Sequence, residues 1–141
     1  MRDEISVIAG GVAGTAAIFV VLFAADVLTG YQVRSFSALA AFVSAQSIPV
    51  VGFLLFAALG VFAWPLFFLS FLEFLPGGTD VRRGAVFAIP LWVGYDVLFV
   101  GSVGGAVIVF LLVTLLGHLA YGAVMGWVYG RLGDHTFGGS S

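Results

Sequence analysis

Two ionisable side chains, Asp96 and His118, fall deep inside long apolar runs, and any chemistry in this chain has to start from them. Counted back from Gly130 at the helical rise, His118 lies about 18 Å from the end of its run, and Asp96 lies about 20 Å beyond Arg83. The two therefore reach a similar depth. At the centre of a bilayer an ionised side chain costs at least about 2.5–3.5 kcal/mol, so Asp96 must be protonated, hydrogen-bonded or paired with a cation. His118 is the ionisable partner at that depth, with Tyr95 and Tyr121 as neutral donors nearby in sequence. The expectation is a direct or water-bridged hydrogen bond between Asp96 and His118. Three readings of the pair stay open. It could be a buried polar clamp between helices, or a proton relay, since both side chains can be tuned to titrate near neutrality. It could also be a haem site with His118 on the iron. Haem would need a second strong ligand from a dimer or another subunit, because His135, the other histidine, falls in a polar tail.

A second pattern surrounds His118. Thr114, His118, Gly122, Gly126 and Gly130 recur every four residues, which sets them along one slowly drifting stripe of a helix. Small residues at that spacing let another backbone come close, which is how helices associate where lipid removes the hydrophobic drive. Ser6, Gly10 and Gly14 form a matching strip near the start of the chain. The two glycine-zipper strips are expected to pack on each other, or to make a homo-oligomeric or partner contact.

Most other chemistry is excluded by composition. The chain has no cysteine, which removes disulfides, thiolate metal sites and iron–sulfur clusters. All five cations are arginine, so Schiff bases and Walker-type phosphate loops are absent. A formal charge of −2 leaves no basic surface for nucleic acid. There is no HExxH, no GxSxG, and no carboxylate cluster of metal-ligand spacing. The expectation is a protein that is not an enzyme and holds no metal or resident cofactor, His118 being the one weak candidate for cofactor binding.

The elements that must position these residues follow from the apolar runs. Of 141 residues, 62% are hydrophobic and 9% charged, far below the charged fraction of about 25% in soluble domains. Mean hydropathy is +1.19. A span needs about 20 apolar residues, and four stretches qualify: about 5–28, 48–75, 84–100 and 106–130. The fold class is thus all-α, a polytopic membrane bundle of four transmembrane helices in a single domain, 1–132, with a flexible polar tail over 133–141. Phe36, Leu39, Ala40 and Val43 recur at helical spacing in a stretch too short to cross, about 36–46, which predicts a short interfacial helix. The first run is longer than a signal core of about 7–15 residues, and reads as a retained span. Pro65 and Pro90 should kink the second and third spans. With four spans, Arg2, Arg82, Arg83 and Arg131 fall on one side and Arg34 on the other, so both termini should be cytoplasmic in a cell-membrane protein. Asp26 would then sit beside Arg34, and Glu73 within reach of Arg82 or Arg83.

The segment Ala9-Gly10-Gly11-Val12-Ala13-Gly14-Thr15 and the segment Gly117-His118-Leu119-Ala120-Tyr121-Gly122-Ala123-Val124-Met125-Gly126-Trp127-Val128-Tyr129-Gly130 resemble small four-span membrane proteins of unknown function from halophilic archaea. The lysine-free, mildly acidic composition is similar to theirs. Some of those relatives are associated by name with terminal oxidases, which implies an accessory role. The chain lacks the several intramembrane histidines of a catalytic oxidase subunit. The expected function is a non-catalytic accessory or assembly subunit of a larger membrane complex, in contact with lipid and with other membrane subunits or a second copy of itself. The alternatives are a small proton- or ion-coupled transporter using Asp96 and His118, and a haem-binding electron carrier through His118.

Overall fold

The computed structural model describes residues 2–29, 49–102 and 104–133, and every regular element among them is helical. Helix α1 is Arg2–Thr29, with Asp3 and Glu4 in its first turn where carboxylates complement the positive end of the helix dipole. Helix α2, Pro49–Ala58, passes through a π turn, Leu59–Ala63, into α3, Trp64–Phe71, and ends in a 3-10 turn, Leu72–Phe74. Helix α4, Asp80–Phe99, is capped by the Thr79 hydroxyl, which accepts from the Arg82 backbone N–H at 3.3 Å. The preceding turn reaches φ 142° at Gly77, a backbone region open to glycine. Two 3-10 turns, Val100–Ser102 and Gly104–Ala106, lead into α5, Val107–Gly133. The expected interfacial helix over 36–46, Arg34, the side chain of Asp26 and the tail with His135 lie outside the described residues.

Three stretches are long and apolar enough to cross a membrane: Asp3–Ala25, Val51–Phe74 and Val107–Gly133. Helix α4, expected as a further span, differs because Asp80, Arg82 and Arg83 occupy its first turn and Asp96 its last third. It runs through Pro90 as one helix. At Pro65 the departure from α geometry takes a specific form. The π turn lies directly before the proline, which enters the first turn of α3.

Helix α5 is the centre of the bundle, with α1 along one face and α4 along another. Both neighbours run antiparallel to it, since Gly10, Gly14 and Ile18 of α1 meet Met125, Tyr121 and Gly117 in that order, and Asp80 and Gly84 of α4 meet Gly126 and Gly122. The core gathers Val7, Ile18, Phe68, Phe87, Tyr121 and Met125. Phe68 meets Phe87 and Tyr129 edge-on at ring distances of 5.6 and 5.9 Å, a favoured aromatic arrangement.

The two small-residue strips do not face each other as expected. Gly10 and Gly14 of α1 lie against the backbone of Met125 and Tyr121, where an added Cβ would stand 2.6 and 2.7 Å from the carbonyl oxygens. Gly122 and Gly126 instead turn to α4, against Gly84 and Asp80, and a Cβ at Gly130 would stand 2.9 Å from Asp80 Oδ2. The physical reason is that α5 carries two crowded faces. Side chains at Tyr121 and Met125 bridge to α1, and glycines one residue further on admit the backbone of α4.

Candidate functional site

Asp96 and His118 are both buried, at 6% and 9% exposure, but the hydrogen bonds of each go to Thr114. The Thr114 hydroxyl lies 2.9 Å from Asp96 Oδ1, and the indole N–H of Trp92 donates to it at 3.1 Å. The same oxygen is 2.7 Å from the carbonyl of Phe110, one helical turn back. A hydroxyl has one proton to give. If Thr114 gives its proton to Phe110 O and accepts from Trp92, Asp96 must donate as a carboxylic acid, and its Oδ2 stays buried with no partner among the described residues. His118 Nδ1 is 2.7 Å from the backbone carbonyl of Thr114. A carbonyl only accepts, so Nδ1 carries the proton of that bond and Nε2 is the ring nitrogen left over.

The expected direct pairing of Asp96 with His118 is therefore replaced by convergence on Thr114, and helix register explains it. With Gly84 set against Gly122, moving up α4 to Trp92 and Asp96 means moving down α5 to Thr114 and Phe110. Asp96 consequently sits about two turns past His118. Counting one depth from Gly130 and the other from Arg83, as if the two were level, hid an offset of that size.

Beside this cluster lies a cavity of about 430 Å³ whose wall includes Thr15, Trp64, Tyr95, Phe99, His118 and Tyr121. The rings of Tyr95 and His118 are 5.4 Å apart. At its floor the Tyr121 hydroxyl donates to the Gly60 carbonyl at 2.6 Å. That carbonyl needs an outside donor. In the π turn Trp64 N–H bonds Leu59 O, so by the same five-residue spacing Gly60 O would take its bond from residue 65, a proline with no N–H. In a site without water an unmet carbonyl is costly, and Tyr121 fills the vacancy. Gly60 also lacks a side chain where Thr15 Oγ1 presses closest.

The match to a family model, Family of unknown function (DUF6789), extends over residues 1–137. The chain belongs to this family. No curated protein and no solved structure matches it. The match takes in both the Thr114 cluster and the cavity wall, so neither is an addition to the family's domain.

The remaining candidates in this family member occupy its ends. Arg83 reaches Asp80 at 3.6 Å with both side chains partly exposed, and its Nε donates to Gly77 O at 3.2 Å. The Arg131 guanidinium lies 5.0 Å above the Trp127 ring, a cation–π contact. Glu73 stands exposed in the 3-10 turn. Among the described residues no group of three or more His, Cys, Asp or Glu could hold a metal ion. Thr114, Trp92, Thr15 and Tyr121 are the site residues that sequence reasoning undervalued. Thr114 stood in the four-residue stripe but was read for its size, not its hydroxyl.

Proposed function

We propose that the chain is a four-span integral membrane protein, both termini cytoplasmic, that serves as a non-catalytic accessory or assembly subunit of a larger membrane complex. The observation that carries this reading is the use made of the buried polar groups. Asp96 and Trp92 of α4 are tied to Thr114 of α5, and His118 Nδ1 is tied to its own helix. A clamp between α4 and α5 spends those groups on packing. Proton transport would need exchangeable groups in sequence toward both surfaces, and the contact between His118 and Thr114 runs through a backbone carbonyl, which relays no proton. The outer face of the second span adds support, with Phe53, Phe62, Phe67, Phe71 and Phe74 exposed. So broad an apolar face requires lipid or a neighbouring subunit.

Affinity purification from native membranes, with identification of the co-purifying proteins, tests the reading. A stable partner set retained by Asp96→Asn and His118→Gln is expected, because both amides still hydrogen-bond without titrating. Loss of proton-coupled flux in reconstituted vesicles for those variants, with folding intact, would overturn it in favour of transport. A Soret band in the purified protein that disappears in His118→Gln would overturn it in favour of haem.

A further inference from the structure

The cavity is not consumed by the clamp. Its volume of about 430 Å³ lies within the range of small-molecule sites, about 300–1,000 Å³. Its wall is almost wholly apolar and aromatic, with Phe56, Trp64, Tyr95 and Phe99 around it. Such a wall suits a ligand that comes from lipid better than a charged metabolite from water. Of the polar side chains set in it, which include Trp64, Tyr95 and Tyr121, two bear on a ligand. Thr15 is 5% exposed, and its hydroxyl is buried with no hydrogen-bond partner among the described residues, although a helical threonine can ordinarily bond back along its own helix. An unmade bond of this kind costs about 1–3 kcal/mol. The second group is His118, whose Nδ1 is committed to Thr114 O. In the neutral ring Nε2 is then an acceptor and nothing else. A ligand here is received best if it brings an O–H or N–H donor.

The mouth of the cavity points to the route of entry. Pro90, Gly94 and Leu98 of α4 line it and are exposed. A Cβ at Gly94 would meet nothing within 4 Å. The opening lies between α4 and the second span, so in a membrane it faces the acyl chains.

We propose that this cavity binds a lipid-soluble molecule with a hydroquinone-type head: a flat ring seated among the aromatic walls, with one O–H donating to His118 Nε2 and Thr15 in the wall beside it. The apolar tail leaves past Gly94 into the bilayer. Binding alone is proposed, with no electron transfer. The proposal rests on membrane insertion and is independent of the accessory role.

The test uses the full chain in nanodiscs, with thermal unfolding read against concentration of a decyl-substituted benzohydroquinone, its oxidised quinone and decyl alcohol. A ligand that binds the folded state raises Tm with concentration. The hydroquinone is expected to give a saturable rise, with the quinone, which has no O–H to donate, and the alcohol, which has no ring, each about tenfold weaker, equal to about 1.4 kcal/mol. Gly94→Leu should fold as well as the parent, since it fills open space and improves helix propensity, and should abolish the rise. His118→Leu, which keeps the apolar wall and removes the acceptor, should weaken the hydroquinone to the level of the quinone. Equal response to hydroquinone and quinone, equal response to decyl alcohol, or an undiminished rise in Gly94→Leu would each overturn the proposal. If His118→Leu fails to fold, the Gly94→Leu and quinone comparisons still decide it.

Discussion

Pro65 and Tyr121 form a linked pair although they lie on different helices. Proline deprives Gly60 O of its π-turn donor, and the Tyr121 hydroxyl at 2.6 Å replaces it. Tyr121→Phe should therefore lower stability by about 1–3 kcal/mol, the cost of stranding a buried acceptor. In a Pro65→Ala background the restored N–H can serve Gly60, and the same change should cost markedly less. A double-mutant cycle on thermal unfolding in detergent measures that coupling, and strict additivity would refute it. None of this was legible in the sequence, which marks a proline kink but not which carbonyl it frees or which side chain answers. Asp96 and His118, by contrast, were legible as buried and hydrogen-bonded, because an ionisable side chain inside a long apolar run is costly to leave without a partner. What pairwise reasoning about charges missed was Thr114. A hydroxyl that both donates and accepts can join a carboxyl and an indole where a direct contact between ionisable groups would need a different register.

Between elements, the interfaces of α5 rest on absence of side chains. An added Cβ at Gly122 would stand 2.8 Å from Ala88 Cβ, while one at Gly94 would meet nothing. Gly122→Leu should part α4 from α5, lowering stability by at least the 1–3 kcal/mol typical of overpacking and, through register, loosening the bonds of Asp96 and Trp92 to Thr114. Gly94→Ala on the same α4 should be neutral or gain about 0.5–1 kcal/mol from reduced chain entropy. Thermal unfolding of the two variants side by side separates close packing from a general intolerance of glycine replacement. The four-residue spacing made the crowded face of α5 readable, because 3.6-residue periodicity maps spacing to a face. The partner was not readable, since a strip of small residues says that a backbone comes close without saying whose. Gly84, which meets Gly122, is followed by Ala88 four residues on, a short small-residue pair that sequence reasoning passed over.

At the scale of the whole molecule, the antiparallel contacts bring the start of α1, the start of α4 and the end of α5 to one end of the bundle, as the placement of Gly10 on Met125 and of Asp80 beside Gly126 and Gly130 requires. Arg82, Arg83 and Arg131 share that end, whereas Arg34 follows the far end of α1. Loops on the cytoplasmic side are enriched in arginine and lysine, and the four crossings proposed above would put all of these arginines except Arg34 inside. The polar first turn of α4 fits this arrangement, since Asp80, Arg82 and Arg83 would meet headgroups and water while residues beyond Gly84 cross. The absence of cysteine makes the topology directly measurable with single cysteines and an impermeant thiol reagent on intact cells. Ser35→Cys should label and Gly78→Cys, in the exposed turn that leaves the Thr79 cap intact, should label only after the cells are broken. Labelling of Gly78→Cys in intact cells with protection of Ser35→Cys would invert the bundle. Labelling of both in intact cells would mean that the second span does not cross, because these two positions flank it.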